Sequence, residues 1–339
     1  MAKTKIMSKI SFMTAAAGLL ALPGLAAAQE LATVVAIPAP TMTFSSHYIA
    51  LDGGFYKKAG LNVTERNLTG VASTNAVIAG SADFTVGTGT TFLRAVASGR
   101  KLFAIGTLVN RPMVELVMRK DVADAAGIKE DTPIDQKLKA LKGKTVAVQG
   151  IGSIIHAMQR YSARRVGLDP DKDMRVTSMS PPAMPPALKS KQIDAYATSL
   201  PFTTASVMNG NAIMLLSGPR GEIADYIPFD YVVLYTRPEV CEKQKDKCVR
   251  MAKAAKMANE FIHAKPDEAF ALLQKRFKRL DPKVLKEAWK YVSKAHTKDG
   301  MPTRAGLENS QKFAVAAGLL EEKDTVKDVT KTFTDEYMK

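Results

Sequence analysis

Short apolar runs alternate with longer segments of helical spacing along most of the chain. Leu31–Ile37 is nearly unbroken in its apolar character and ends at Pro38 and Pro40, so it reads as a buried strand. Thr41, Thr43, Ser45 and Ser46 then offer N-caps for a helix running through His47 to about Lys58, which Gly60 closes. Leu61–Arg66 alternates as the next strand. Val71–Ala79 and Thr90–Ser98 read as helices around a strand over Asp83–Val86, and Lys101–Val109 and Met113–Arg119 as two further strands. The middle third repeats this logic. Pro133–Leu141 is helical, with Thr132 as cap and Pro133 at the first position. Lys144–Gln149 is a β-branched run bounded by glycines. A helix follows Ser153, with Ile154, Ile155, Met158, Tyr161 and Ala163 on its apolar face. Strands over Met174–Thr177, Ile193–Ala197 and Ala212–Leu216 are separated by a short helix ending near Ser190 and another over Pro201–Met208. Such alternation specifies an α/β fold with mainly parallel sheets covered by helices on both faces. From Tyr226 the pattern changes. FDYVVLYT is one more strand, and Lys253–Ala264, Pro266–Phe277, Pro282–Ala295 and Arg304–Leu320 form a helical tail.

Two local features bear on function. After the Lys144–Gln149 strand the chain turns through Gly150, Ile151, Gly152 and Ser153 into a helix, which aims unpaired N–H groups and a positive dipole end at whatever lies in front. Anions commonly bind there. A dinucleotide fingerprint needs a third glycine where Ile155 stands, and a phosphate loop needs Gly-Lys-Ser/Thr, so the turn is either an ordinary βα connection or a cradle for a polar or anionic ligand. The second feature is an internal echo. VIAGSADFTVGT (Val77–Thr88) and LKSKQIDAYATS (Leu188–Ser199) both run helix end, tight turn, aspartate, short strand and small polar residues, with Asp83 and Asp194 in equivalent places.

The N-terminus sets the compartment. Lys3, Lys5 and Lys9 precede an apolar run over Ile10–Leu22, Pro23-Gly24 breaks it, and Ala26–Ala28 supplies an A-x-A cleavage site before Gln29. Residues 1–28 therefore read as a signal peptide cut near Ala28, too short for a membrane span, and the remainder as a soluble exported protein of a Gram-negative periplasm. Loss of the leader lowers the formal charge from +15 to +12 (15 − 3). The basic balance suits a field that draws in anions. Nucleic acid is excluded by the compartment and by the absence of any long lysine/arginine block. Cys241 and Cys248, seven apart, fit neither a zinc site nor a CxxC motif; in an oxidising compartment they are expected to form a local structural disulfide. The remaining 311 residues (339 − 28) exceed one ordinary core, so two lobes are expected.

The order of these segments resembles a known family. An exported leader and a strand-Pro-helix are followed by GGFYKKAGLNVTE (Gly53–Glu65), AGSADFTVG (Ala79–Gly87), LKGKTVAVQGIGS (Leu141–Ser153) and KQIDAYATSLP (Lys191–Pro201). Then comes a helical tail with ANEFIHAKPDEAFALL (Ala258–Leu273). Over essentially the whole mature chain this is similar to the solute-binding proteins of ABC importers, in the nitrate/taurine/alkanesulfonate and thiamine-pyrimidine-precursor group. The resemblance implies a type II periplasmic-binding fold, with two lobes of mixed, mostly parallel sheets joined by a two-strand hinge. Lobe 1 would take residues 29–117 and 230–339 and lobe 2 residues 118–229, with Val114–Arg119 and Asp230–Leu234 as hinge strands. Lobe closure would bury a ligand between strand C-termini and helix N-termini. The polar loops at those places nominate Thr41, Thr43, Phe44, Ser45, Thr88, Gly89, Thr90, Gly150, Ile151, Gly152, Ser153, Thr198 and Ser199 as ligand-binding residues. Thr91 adjoins them, and Arg111, His47 and Tyr48 are candidates for a counter-charge or an apolar wall. Hydroxyls and glycine N–H groups can hold a sulfonate, nitrate or carboxylate without a lysine. The implied partners are a small anionic or polar organic solute, a pyrimidine-like one included, and an inner-membrane ABC permease with its ATPase. The protein would act as a monomer, with no cofactor and no metal.

Two rival functions share the fold. A ligand sensor for a membrane receptor is not separable on sequence. Fold relatives that synthesise a pyrimidine precursor carry a cysteine-rich metal motif, which this chain lacks. Ser153 stands outside any G-x-S-x-G elbow, and His47, His156, His263 and His296 show no metal spacing such as HExxH.

Overall fold

The computed structural model describes residues 1–2 and 30–339; the expected leader and cleavage site lie outside the described residues, save Met1 and Ala2. Among the described residues ten strands form two five-stranded sheets. The first comprises β1 (Leu31–Ile37), β2 (Leu61–Asn67), β3 (Phe84–Thr88), β4 (Phe103–Val109) and β10 (Val232–Thr236). The second holds β5 (Val114–Arg119), β6 (Thr145–Val148), β7 (Arg175–Ser178), β8 (Ala195–Ser199) and β9 (Ala212–Ser217). Their orders, β2-β1-β3-β10-β4 and β7-β6-β8-β5-β9, follow one plan. In each sheet three neighbouring strands pair in parallel, and one strand from elsewhere in the chain inserts antiparallel beside the third.

Helices α1 (Ser45–Asp52), α2 (Phe55–Lys58), α3 (Ala72–Ile78) and α4 (Gly89–Ala97) connect the first sheet. The second carries α5 (Lys120–Ala125), α6 (Ile134–Lys139), α7 (Ile154–Arg165), α8 (Met184–Lys189) and α9 (Phe202–Met208). The tail is α10 (Pro238–Lys243), α11 (Lys245–Ala264), α12 (Pro266–Arg276), α13 (Pro282–Ala295) and α14 (Arg304–Ala316), and it packs back on the first lobe. No helix among the described residues is long and apolar enough to cross a membrane. The stripe Val284, Leu285, Ala288, Trp289, Val292 and Ala295 shows why α13 folds where it does: one face is buried at 3–4 residue spacing.

Three sequence expectations shift. The helix expected from His47 to Lys58 is two helices, because Gly53 and Gly54 divide it. A Cβ on Gly53 would lie 2.6 Å from the Ile49 carbonyl, and Gly54 adopts φ +74°. Helix α11 begins at Lys245 rather than Lys253, its added turns burying Cys248, Met251 and Ala252. Finally, Val114–Arg119 is no strand shared between lobes. It pairs along its length with β8 and β9, so the boundary expected at 117/118 falls inside a strand of the second sheet, and the chain first crosses at residues 110–113. The return crossing spans residues 218–231, and β10 belongs wholly to the first sheet. The two crossings run side by side: Phe229 N–H donates to the Asn110 carbonyl (3.1 Å) and Tyr231 N–H to that of Val109 (2.8 Å).

The internal echo has a structural basis. Asp83 accepts the Val34 N–H (2.7 Å) in the middle of β1, and Asp194 accepts the Thr145 N–H (2.9 Å) at the start of β6. Each aspartate stands 49 residues beyond the amide it accepts from. The turns before them have positive φ, +79° at Gly80 and +64° at Lys191. Cys241 and Cys248 are bonded and tie α10 to α11.

Candidate functional site

The two sheets present the C-terminal ends of their central strands to one another, and a narrow cavity of ≈ 20 Å³ lies between them. That is room for about one water, so a solute of several atoms fits only when the lobes stand further apart. Five of the thirteen residues nominated from the sequence line it: Thr41, Phe44, Thr88, Ser153 and Ser199. Pro38, Gly70, Ser73, Thr74 and Thr91 complete the first lobe's wall. Gln149, Ile154 and Ile155 complete the second, and Tyr231 stands at the return crossing.

Local folding explains these orientations. Thr88 and Ser153 are the N-caps of α4 and α7, both with extended backbone, so each stands where a strand end turns into a helix. Thr88 Oγ1 donates to Thr91 Oγ1 (3.0 Å). Ser153 Oγ accepts the His156 N–H (3.2 Å), a normal capping bond that leaves the hydroxyl proton to be donated elsewhere. The Thr41 hydroxyl is buried and without a hydrogen-bond partner. Across the cleft, the Ser199 hydroxyl and the Tyr231 phenol pair at 3.3 Å, and burial raises the Tyr231 pKa above the normal phenol range. Among the described residues, Tyr231 is the one ionisable side chain on the wall. The cavity thus has hydroxyls, one amide and the starts of α1, α3, α4 and α7, and among the described residues no carboxylate, imidazole, lysine or arginine lines it.

The other nominated residues face elsewhere. Thr43 is buried, its hydroxyl unpartnered but not on the wall. Ser45 donates to the Met42 carbonyl and Thr90 to the Ser310 carbonyl (3.2 Å). Gly89 packs on the Asp230 backbone. Gly150 faces Gly70 of the opposite lobe, and Ile151 is exposed (57%). The Gly152 carbonyl accepts from Arg94, and Thr198 Oγ1 donates to Gln149 (3.2 Å). Thr198 therefore positions a wall residue instead of forming the wall. The candidate counter-charges are also elsewhere. His47 is buried between Tyr56 (2.8 Å) and Glu65 (3.1 Å), Tyr48 donates to the Ala39 carbonyl (3.0 Å), and Arg111 lines a separate surface pocket.

His156 adjoins the cavity through its bonds to Gly152 and to the wall residue Ser153. Burial, and then the Arg160 charge, lower its pKa to about 4, so it is neutral at pH 7, and its Nδ1 accepts the Gly152 N–H (3.0 Å). Both cysteines are consumed in the disulfide. No group of three or more metal-binding side chains occurs among the described residues.

Comparisons with known proteins agree with this architecture. The NMT1/THI5-like family profile matches residues 41–269. Among curated proteins, none matches the chain. A structure from Bordetella bronchiseptica RB50 superposes with a TM-score of 0.79 at 21% identity, covering 91% of this chain and 96% of that one. The alkanesulfonate-binding protein SsuA of Xanthomonas axonopodis pv. citri, bound to MOPS, gives 0.70 at 17%, covering 91% and 99%. The periplasmic nitrate-binding protein NrtA of Synechocystis PCC 6803 gives 0.70 at 15%, covering 91% and 87%. A desulfurization enzyme, DszB, shares the fold as well, at 0.61 and 13% identity, covering 91% and 98%. At these identities the likeness shows the fold alone, which is that of the periplasmic binding proteins.

Proposed function

The chain belongs to the NMT1/THI5-like family, and from that membership and the chemistry of its cleft we propose that it is the solute-binding component of an ABC importer. It would work in the periplasm after removal of residues 1–28 and deliver its ligand, as a monomer, to an inner-membrane permease with its ATPase. The observation that carries this reading is the wall itself. Hydroxyls and helix starts converge from both lobes on a space that only lobe separation can open, and among the described residues no histidine, cysteine, lysine, arginine or carboxylate lines it. Positive helix ends, Ser153 and Thr41 favour an anionic or acceptor-rich head, while Phe44, Ile154, Ile155 and Tyr231 offer apolar surface to its organic part. Sulfonates, nitrate, carboxylates and pyrimidine-like solutes meet these terms.

The fold likeness to DszB is the one observation that favours catalysis, but His156 is occupied by the Gly152 N–H and no free thiol is present among the described residues. Thermal-shift screening of the purified protein against taurine, alkyl and aryl sulfonates, nitrate, aromatic carboxylates and pyrimidines tests the proposal. The expected result is stabilisation by one class, with the compound recovered unchanged. Turnover of a bound compound, or no stabilisation by any class, overturns it.

A further inference from the structure

Arg94 lies on the second turn of α4, whose first turn borders the cavity, yet its side chain does not line that cavity. Its Nε–H donates to the Leu319 carbonyl (2.9 Å), just past the end of α14 in the first lobe. Its Nη1 donates to the Gly152 carbonyl, in the second lobe. One planar guanidinium thus spans the two lobes, serving each with a separate N–H in a fixed fork.

The far end of that bridge matters for the cleft. The Gly152 N–H donates to His156 Nδ1 (3.0 Å), so both polar groups of Gly152 are held outside the cavity. Its φ of +80° turns the chain between Ile151, which is exposed, and Ser153, which faces in. A second arginine works from the opposite lobe. Arg160 of α7 donates to the Ala317 carbonyl (2.9 Å) and pairs with Asp171 (2.5 Å). The C-terminal end of α14, where helix carbonyls lack partners and the dipole is negative, therefore receives one arginine from each lobe.

Resting on the binding reading above, we propose that Arg94 is a positioning residue of the cleft. It joins the α14 end of the first lobe to the Gly152 carbonyl of the second, biases the lobes toward closure before a solute arrives, and fixes the turn that presents Ser153. It touches no ligand, so its contribution to affinity is the same for every solute the cleft accepts.

The test compares wild type, Arg94→Ala and Arg94→Lys as the full chain, with thermal unfolding confirming that each variant folds. Small-angle scattering without added solute should give a larger radius of gyration for Arg94→Ala. Arg94→Lys should fall between, because one ammonium cannot serve both carbonyls with the guanidinium's geometry. Amide exchange over residues 150–153 should accelerate in the same order. With taurine and nitrate as probes, any that binds wild type should bind Arg94→Ala roughly 10–100-fold more weakly, the worth of a charged hydrogen bond, by the same factor for each and mainly through faster release. Unchanged scattering and exchange in folded Arg94→Ala overturn the proposal, as does a loss confined to one probe. If Arg94→Ala does not fold, Arg94→Lys decides by the same measurements. If wild type binds neither probe, scattering and exchange still decide the role of Arg94.

Discussion

Replacing Gly89 by alanine should damage stability and binding together, through backbone and not through the ligand. Gly89 opens α4, and its N–H donates to the Tyr231 carbonyl (3.1 Å). A Cβ there would lie 2.1 Å from the Asp230 carbonyl oxygen and 2.9 Å from Ser310 Oγ. An ordinary contact at that oxygen needs about 3.4 Å, so the return crossing must retreat by about 1 Å. The φ of Gly89 is not positive, so alanine is conformationally acceptable and adds roughly 0.5–1 kcal/mol of helix preference. Overpacking costs about 1–3 kcal/mol, and here the obstacle is backbone with no free end to swing aside. The net expectation is a loss of about 1–2 kcal/mol. The displaced segment carries Tyr231, which meets Ser199 across the cleft, and Asp230, which accepts the Thr303 N–H (2.9 Å). Probe binding should therefore fall as well. Urea unfolding gives the first quantity and thermal shift the second. Gly150→Ala is the control, since its Cβ would meet only the Gly70 Cα at 3.6 Å; it should stay within about 0.5 kcal/mol of wild type. A Gly89→Ala protein with the wild-type urea midpoint would show that the crossing yields freely and would remove it as a rigid wall of the site.

Two further outcomes are expected. Burial pushes the Asp230 carboxyl up to about 6, with the Thr303 N–H opposing. A carboxyl whose folded pKa is raised contributes stability that is full below its unfolded pKa and is lost as pH rises through about 6. The histidines held down to about 4, His156 and His296, act in the opposite sense over the same range. Urea midpoints from pH 4 to 7 should thus show Asp230→Asn gaining on wild type by up to roughly 3 kcal/mol, and a pH-independent difference would refute the assignment. Asp83→Ala and Asp194→Ala should each cost about 1–3 kcal/mol by stranding a strand amide. Their losses should be alike because the two sites are equivalent; a loss at one position only, by urea unfolding, would break the equivalence.

The alternation of strand and helix was legible because apolar runs of strand length are bounded by glycine or proline along most of the chain. The assignment of strands to sheets was not. β5 has the same apolar pattern whichever sheet it joins, and its partners lie at residues 195–199 and 212–217, so its own residues carry no record of them. The break at Gly53-Gly54 was visible as a pair of glycines, but its cause is the Ile49 carbonyl one turn earlier, a contact that exists only once the helix forms. The aspartate echo was legible as a pattern. What it does, accepting a strand amide 49 residues upstream, required the sheet.

At the site, sequence reasoning nominated loops of which only some side chains turn toward the cavity. Thr88 and Ser153 line the cavity as N-caps of the two longest helices that start there, whereas Thr90, two residues on, points back to α14. Gln149 had a readable signal, a polar residue closing an apolar strand just before a glycine; Tyr231, on the crossing, had none. The search for a counter-charge failed for a physical reason. The cleft concentrates its positive potential in peptide groups at helix starts, which no residue type announces. On the proposed reading, the formal charge of +12 that removal of residues 1–28 would leave acts at a distance, drawing anions toward the protein, while neutral donors inside discriminate by geometry. A donor set without a full charge holds a ligand well only when several donors reach it together. Selectivity therefore depends on how far apart the starts of α4 and α7 come to rest. In this chain that spacing is held from outside the cavity, by Arg94 on the Gly152 carbonyl and by Arg160 on α14.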